Sequence, residues 1–337
     1  MKSSKTFFIS FSVTLLIFSS CAHKTSWIKN QGQVFGTYYH LIYESPDGRD
    51  LNKEVMQALD SVNESLSTYD STSVISRLNQ SDSGTRADIH FRKVFLAAKE
   101  ANQASDGAFD MTVAPVVNAW GFGFSNKKEI TPAVIDSLKQ LIGMDHFKLT
   151  NDSILKHRKE VMLDASAIAK GYGVDVAAQT LARHGCKNFL VEIGGEIVCQ
   201  GLNSREQAWR VGIDKPVDDP VASNRELQFI IELSDKALAT SGNYRQFYID
   251  EKTGKKYAHT INPLSAMPVD HSLLSASVIA NDCMTADAWA TACMVMGLEK
   301  SLNVMKKHPE MEGCFIYSTE EGMEVSWTEG FEKHFVK

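Results

Sequence analysis

Apolar positions in this chain switch several times between helical spacing and strand alternation, and the switches lay out its elements. Leu51 to Leu66 carries Val55, Leu59, Val62 and Leu66 on one face, which predicts an amphipathic helix. Phe91 to Ala104 predicts a second helix, broken by Ser105-Asp106-Gly107; Ala108-Phe109-Asp110 then leads into an apolar stretch, Val113 to Trp120. Val34 to Tyr43, Asn188 to Glu192, Trp209 to Ile213, Leu227 to Leu233 and Ser275 to Ile279 read as strands. Val161-Met162-Leu163 reads as a short buried strand feeding a helix through Val174, Ala177, Ala178 and Leu181, and a last helix runs from about Thr285 to Met296. Gly194-Gly195 reads as a turn; Gly121-Phe122-Gly123-Phe124 and Thr240-Ser241-Gly242-Asn243 read as loops. Strands outnumber what a doubly wound fold supplies, and their connections are short. The expectation is an α+β fold with a largely antiparallel sheet packed with helices.

The N-terminus does not belong to that fold. Two lysines within Met1 to Lys5 precede an apolar and hydroxyl run, Thr6 to Phe18, and then Ser19-Ser20-Cys21. The pattern predicts a signal peptide over 1–20 and a single domain over 21–337. It resembles that of bacterial lipoproteins, although Phe18 and Ser20 replace the commoner Leu and Gly or Ala. The resemblance implies lipidation at Cys21 and a membrane-anchored protein facing the periplasm; a plain secretory signal would export the chain equally.

Charge narrows the partners. With 35 basic against 41 acidic residues, a formal net charge of -6 and no like-charge blocks, nothing points to nucleic acid. Cys186, Cys199, Cys283, Cys293 and Cys314 are odd in number and lack CxxC spacing, which argues against a disulfide framework or a zinc site.

Four segments carry candidate chemistry. Asp164-Ala-Ser-Ala-Ile-Ala-Lys170-Gly171-Tyr172-Gly173 places an acid where a strand is expected to feed a helix, with Lys170 about two turns in. Such a junction offers backbone N–H groups and a positive dipole end to a phosphate. An ordinary helix cap and a solvated lysine would read the same way. Asp287 and Thr291, four apart on a helix, present a carboxylate and a hydroxyl on one face, both hard oxygen donors of the kind magnesium takes. A surface pair has that spacing too, but the small and apolar flanks Ala286, Ala288, Ala290, Ala292 and Met294 predict a buried helix, and a buried Asp needs a partner. His259, in His259-Thr260-Ile261-Asn262-Pro263, is a candidate base or phosphate contact, or a satisfied structural histidine. Tyr69 could stack on a flat ring or anchor the surface.

Taken in order, these segments resemble the ApbE-type FAD:protein FMN transferases. The motifs are Phe35-Gly36-Thr37-Tyr38, Ser67-Thr68-Tyr69, Gly107-Ala108-Phe109-Asp110, the Asp164 to Tyr172 run, Glu192-Ile193-Gly194-Gly195-Glu196, Thr240-Ser241-Gly242-Asn243-Tyr244, the His259 to Pro263 run and Ala286-Asp287-Ala288-Trp289-Ala290-Thr291. The resemblance implies a magnesium-dependent enzyme that takes FAD as substrate, transfers FMN to a threonine or serine hydroxyl of a partner protein and releases AMP. It implies FAD contacts at Phe35, Tyr69, Ala108, Phe109, Asp110, Asp164, Lys170 and Ile261. Magnesium positions fall on Ala167 through its carbonyl, Asp287 and Thr291, and His259 joins Lys170 and Asp287 in catalysis. The implied acceptors are subunits of sodium-pumping NADH:quinone reductase or Rnf-type complexes. Phe35 stands where many members have methionine, and Ala290 where some have a further acid. The same site residues would serve an FAD pyrophosphatase, and a flavin-binding lipoprotein without turnover would need no metal pair.

Overall fold

A computed structural model describes residues 25–123, 129–217, 226–244, 247–250 and 254–336. The expected signal peptide over 1–20, Cys21 and Phe124 lie outside the described residues. Its largest sheet has eight strands: β1 (Ser26–Val34), β2 (Thr37–Ser45), β6 (Phe189–Ile193), β7 (Glu196–Gln200), β10 (Lys236–Gly242), β15 (Leu273–Ala280), β16 (Glu312–Thr319) and β17 (Gly322–Trp327), in that spatial order. Every pairing in it is antiparallel, so the expected α+β class with a largely antiparallel sheet is the one the chain adopts. Smaller sheets join β3 (Gly84–Arg86) with β5 (Ser153–Lys156) and β4 (Phe147–Leu149), β8 (Trp209–Asp214) with β9 (Leu227–Leu233), β11 (Phe247–Ile249) with β12 (Lys256–Ala258), and β13 (Ile261–Asn262) with β14 (Met267–Pro268).

Helices α1 (Asn52–Leu66), α2 (Val74–Gln80), α3 (Ile89–Ala104), α4 (Ala114–Trp120), α5 (Pro132–Lys139), α6 (Ala169–Arg183), α7 (Cys283–Met296) and α8 (Leu298–Met305) complete the fold. Alternation along the strands sorts the sheet into two faces. Leu41, Tyr43, Val191 and Ala237 pack beneath α1 and α6, whereas Ile197, Cys199, Leu238 and Ile316 pack against the β8–β9 hairpin. All five cysteines named above are buried. No helix among the described residues is long and apolar enough to cross a membrane.

Several expected elements differ. The strand expected over Val34 to Tyr43 is interrupted by a tight turn: Val34 pairs with Thr37, and Phe35 and Gly36 between them have φ of 53° and 72°. Two positive φ values match the twist of a two-residue hairpin, and at the non-glycine Phe35 they are strained. Val161 and Leu163 are buried, but the stretch is not a strand. The side chain of Asn79 takes the place of a neighbouring strand there, accepting the Leu163 N–H at 2.8 Å and donating to its carbonyl at 2.9 Å. Thr240 to Gly242 is the end of a central strand, not a loop, because it is paired with Ser275 to Ser277 of β15. Helix α7 is not the last, since α8, β16 and β17 follow it. The short α2 and the small strands carry too few residues to show a period in sequence.

Candidate functional site

Helices α6 and α7 cross the covered face of the sheet, and the chemistry gathers between them. Residues 166–168 form a turn, so α6 begins only at Ala169 and Lys170 is its second residue, not two turns in. Ile168, not Asp164, precedes the helix, and among the described residues no side chain caps it. Asp164 closes its own turn by accepting the Ser166 N–H at 2.8 Å and the Ser166 hydroxyl at 2.6 Å. Asp164 thus closes a turn ahead of α6 and does not cap the helix. Gly171 donates its N–H to Asp287 Oδ2 at 2.9 Å, in place of the Ala167 carbonyl that a regular helical turn would use. That substitution leaves the Ala167 carbonyl as an oxygen donor one turn below Gly171.

Asp287 is 2% exposed, which makes α7 the buried helix expected from its flanks. Its second oxygen lies 3.9 Å from the Lys170 ammonium, and Lys170 also meets Glu196 Oε1 at 2.7 Å. Burial alone would lower the lysine; Asp287 and Glu196 outweigh it and hold the ammonium above its ordinary value. Glu196 is 3% exposed, and burial raises its carboxyl against the pull of Lys170. Its Oε2 is buried and has no hydrogen-bond partner among the described residues. Thr291 lies one turn beyond Asp287, with its hydroxyl 3.2 Å from that of Ser241 on β10.

Glu196 and Ser241 received no role from the sequence beyond their place in motifs. Alternation was the available signal: Glu196 shares a face with Val198 and Ser241 with Ala237 and Ala239, so both point at the helices. An acid on the core side of a strand requires a partner across it.

The remaining sequence candidates lie at differing depth in the fold. Phe35, thrown outward by its positive φ, lays its ring over Gly173 of α6, where a β-carbon would fall inside van der Waals contact. Asp110 accepts the Thr112 N–H at 2.8 Å and its hydroxyl at 2.6 Å, and Asn102 reaches its other oxygen at 3.2 Å. Burial raises the Asp110 carboxyl above the usual range despite those bonds. Asp110 lines a cavity of about 450 Å³ with Lys99, Asn102, Lys139 and Leu264. Asp164 is tied beside it, its N–H donating to the Met111 carbonyl at 2.7 Å. Ala108, Phe109 and Ile261 are core residues, so a ligand would meet their backbone rather than their side chains. Tyr69 is 84% exposed, an uncovered ring beyond the end of α1. His259 packs edge-on to Phe122 at 6.5 Å between ring centroids, beside the apolar cluster that α4 and α5 build around Trp120, Tyr248 and Tyr257.

Among the described residues no three of His, Cys, Asp and Glu gather as a metal cage. The hard oxygens on α7 and in the turn before α6 are the Asp287 carboxylate, the Thr291 hydroxyl and the Ala167 carbonyl, with the Glu196 carboxylate 2.7 Å from Lys170. That set suits magnesium, which keeps waters and accepts phosphate oxygens, and does not suit zinc.

The fold and this site define an α+β protein that seals a lysine, carboxylate and hydroxyl cluster between two helices on one face of an antiparallel sheet. The chain belongs to the ApbE family, whose model matches residues 35–315. It is 34% identical over 333 residues to the FAD:protein FMN transferase of Vibrio cholerae, covering 96% of this chain and 97% of that one. It is 32% identical over 317 residues to the Escherichia coli K12 protein of the same name, covering 89% and 86%. Among solved structures, the flavin transferase ApbE from Vibrio cholerae superposes with a TM-score of 0.82 at 34% identity, over 93% of this chain and all of that one. The apo Pseudomonas stutzeri flavinyl transferase ApbE gives 0.81 at 30% identity, over 92% and 97%.

Proposed function

We propose that this protein transfers FMN from FAD to a threonine or serine hydroxyl of a partner protein, with release of AMP. The observation that carries the reading is the likeness to FAD:protein FMN transferases over nearly the full length of both chains. The site supplies chemistry to match. The acceptor oxygen forms a bond to the phosphorus on the FMN side, the bond to the AMP oxygen breaks, and AMP leaves with that electron pair. In such a transfer the protein positions the groups and neutralises charge. Lys170 does the second, its ammonium held between Glu196 and Asp287 at the mouth of the cluster. Asp287, Thr291 and the Ala167 carbonyl are the residues to hold magnesium, which when bound supplies positive charge to the diphosphate and the departing AMP. The acceptor proton goes to His259. Asp287 and Glu196 are too deeply buried for a polypeptide hydroxyl to reach, whereas His259 is part-exposed on a loop.

Export and anchoring through Cys21 are part of the same proposal and rest on the N-terminal sequence. With that topology the acceptor is a periplasm-facing protein, such as a subunit of the sodium-pumping or Rnf-type complexes. The decisive experiment incubates the protein with FAD, Mg2+ and an acceptor carrying the target threonine. Flavin that stays on the acceptor through denaturation, with AMP release accelerated by the acceptor, is the expected result. Fast cleavage that no acceptor accelerates, with all flavin recovered as free FMN, would replace the transferase by a pyrophosphatase.

A further inference from the structure

Helix α6 holds α7 by a second contact, one turn along from the first. Asp175 lies four residues after Gly171, and its two carboxylate oxygens accept the N–H groups of Cys283 at 2.8 Å and Met284 at 2.9 Å. These are the first two residues of α7, and Asp287 follows four residues after Cys283. The helices thus exchange hydrogen bonds in opposite directions, Gly171 to Asp287 and Cys283 with Met284 to Asp175, and they run antiparallel where they do so. A β-carbon on Gly171 would clash with the Cys283 carbonyl and the Asp287 β-carbon, so its missing side chain is needed for this close approach.

We infer that Asp175 is a positioning residue: it fixes the register of α7 on α6 and so sets where the oxygens of Asp287 and Thr291 stand relative to Ala167 and Lys170. The inference presupposes the magnesium site proposed for Asp287 and Thr291. An ordinary cap comes from the residue preceding the helix, and α7 already has one, since Asp282 accepts the Thr285 N–H at 2.9 Å. Asp175 adds a second cap from the helix that carries the rest of the site. Between them the two acids take the amides of residues 283, 284 and 285, three of the donors that a helix start leaves unpaired. Burial pushes the Asp175 carboxyl up to about 7, with Asp282 adding to it and the two amides and Lys93 opposing. Apolar packing of two helices needs no such group. A carboxylate with two parallel acceptors does what packing cannot, which is to forbid α7 from sliding or rotating by a fraction of a turn.

The test is Asp175→Asn in the full-length protein. The amide keeps the shape but turns an NH2 toward one of the two N–H donors. Mg2+ titrated calorimetrically, well below the unfolding transition, should bind at least about tenfold more weakly to the variant, the size of effect seen when groups that orient metal ligands are removed. The KM for FAD at saturating Mg2+ should stay within about twofold of wild type, since ligand orientation and not flavin contact has changed. A residue with a merely structural role would lower the melting temperature and leave both quantities alone, and that result overturns the inference. Asp287→Ala measured alongside separates the two levels. If it binds Mg2+ as wild type does, the metal assignment falls and the inference with it. If it loses Mg2+ while Asp175→Asn keeps wild-type affinity, only the role of Asp175 falls. Should Asp175→Asn fail to fold, hydrogen exchange on the wild type decides: saturating Mg2+ should slow the Cys283 and Met284 amides more than those of Leu41 and Tyr43 in β2, by the reciprocity of linked equilibria. Equal slowing overturns it.

Discussion

Gly171 meets Asp287 with its bare backbone: the glycine amide donates to Oδ2 at 2.9 Å, and a β-carbon at 171 would sit 2.7 Å from the Asp287 β-carbon. It would sit closer still to the Cys283 carbonyl oxygen. In an open helix, replacing glycine by alanine stabilises by up to about 1 kcal/mol. Here the sign should reverse. The obstructing atoms are backbone and a β-carbon, which cannot rotate away, so Gly171→Ala should cost about 1–3 kcal/mol of stability by overpacking. It should also move Asp287 relative to Ala167 and weaken Mg2+ binding. Denaturant unfolding and Mg2+ titration check both; an equally stable variant would mean that α6 and α7 separate freely.

Asp287→Ala should abolish Mg2+-dependent turnover and leave the fold intact, because only a hydroxyl and a carbonyl would remain for a hard dication. Thr291→Ala should be milder: a neutral ligand is lost that water can replace, and Ser241 still lies in place on β10. Initial rates across a Mg2+ series are the measurement. Wild-type rates from Asp287→Ala at low Mg2+ would remove the metal from this position.

Lys170→Met should have opposite effects on two ligands. The ammonium stands 3.9 Å from Asp287 Oδ1 and so competes with a dication for that oxygen. Removing it should tighten Mg2+ binding in the absence of FAD. Turnover of FAD should fall nonetheless, since a charged hydrogen bond to the diphosphate contributes about 1.5–3 kcal/mol, roughly ten- to hundredfold in rate. Calorimetry without FAD and steady-state rates with it separate the two, and weaker Mg2+ binding by the variant would show that Lys170 supports the cation site instead of competing for it.

These relationships mark how far the sequence reaches. The period of Val55, Leu59, Val62 and Leu66 exposed α1 because one apolar face of a long helix repeats several times. In the eight-stranded sheet β2, β6 and β15 were legible from their apolar runs, whereas β1, β7, β16 and β17 were not and the end of β10 read as a loop. Phe35-Gly36 was not, because a tight turn made by an aromatic residue carries no composition signal and the apolar alternation runs straight through it. Val161 to Leu163 has the composition of a strand, but the backbone groups of Leu163 bond to the side chain of Asn79, over eighty positions earlier, and no local pattern encodes that. At the site, the buried Asp287 announced that a partner must exist. Its partners, a glycine amide and a lysine from α6, are set by the crossing of two helices, as is the capping of α7 by Asp175.

The last prediction concerns pH and lies far from the cluster. At the C-terminal end of the chain, Glu312 of β16 meets Lys333 Nζ at 2.6 Å and His334 Nε2 at 2.6 Å, tying the final helical turn, Glu329–His334, to the sheet. Burial alone would raise the Glu312 carboxyl, but its bonds to His334 and Lys333 outweigh it and hold the carboxyl below the ordinary glutamate range. A carboxyl whose folded value lies below its unfolded value, about 4.3, stabilises the fold at pH above the unfolded value. That contribution is lost as pH falls through the folded value, where the native state takes up the proton as well. Glu312→Gln mimics the protonated acid at every pH. The variant should therefore be less stable than wild type at pH 7, by about 1–2 kcal/mol for a part-buried charged hydrogen bond, and the difference should shrink as the pH is taken down through the lowered folded value. Denaturant unfolding of both proteins across that range is the check. A difference that stays constant with pH would show that Glu312 contributes through packing and not through its charge.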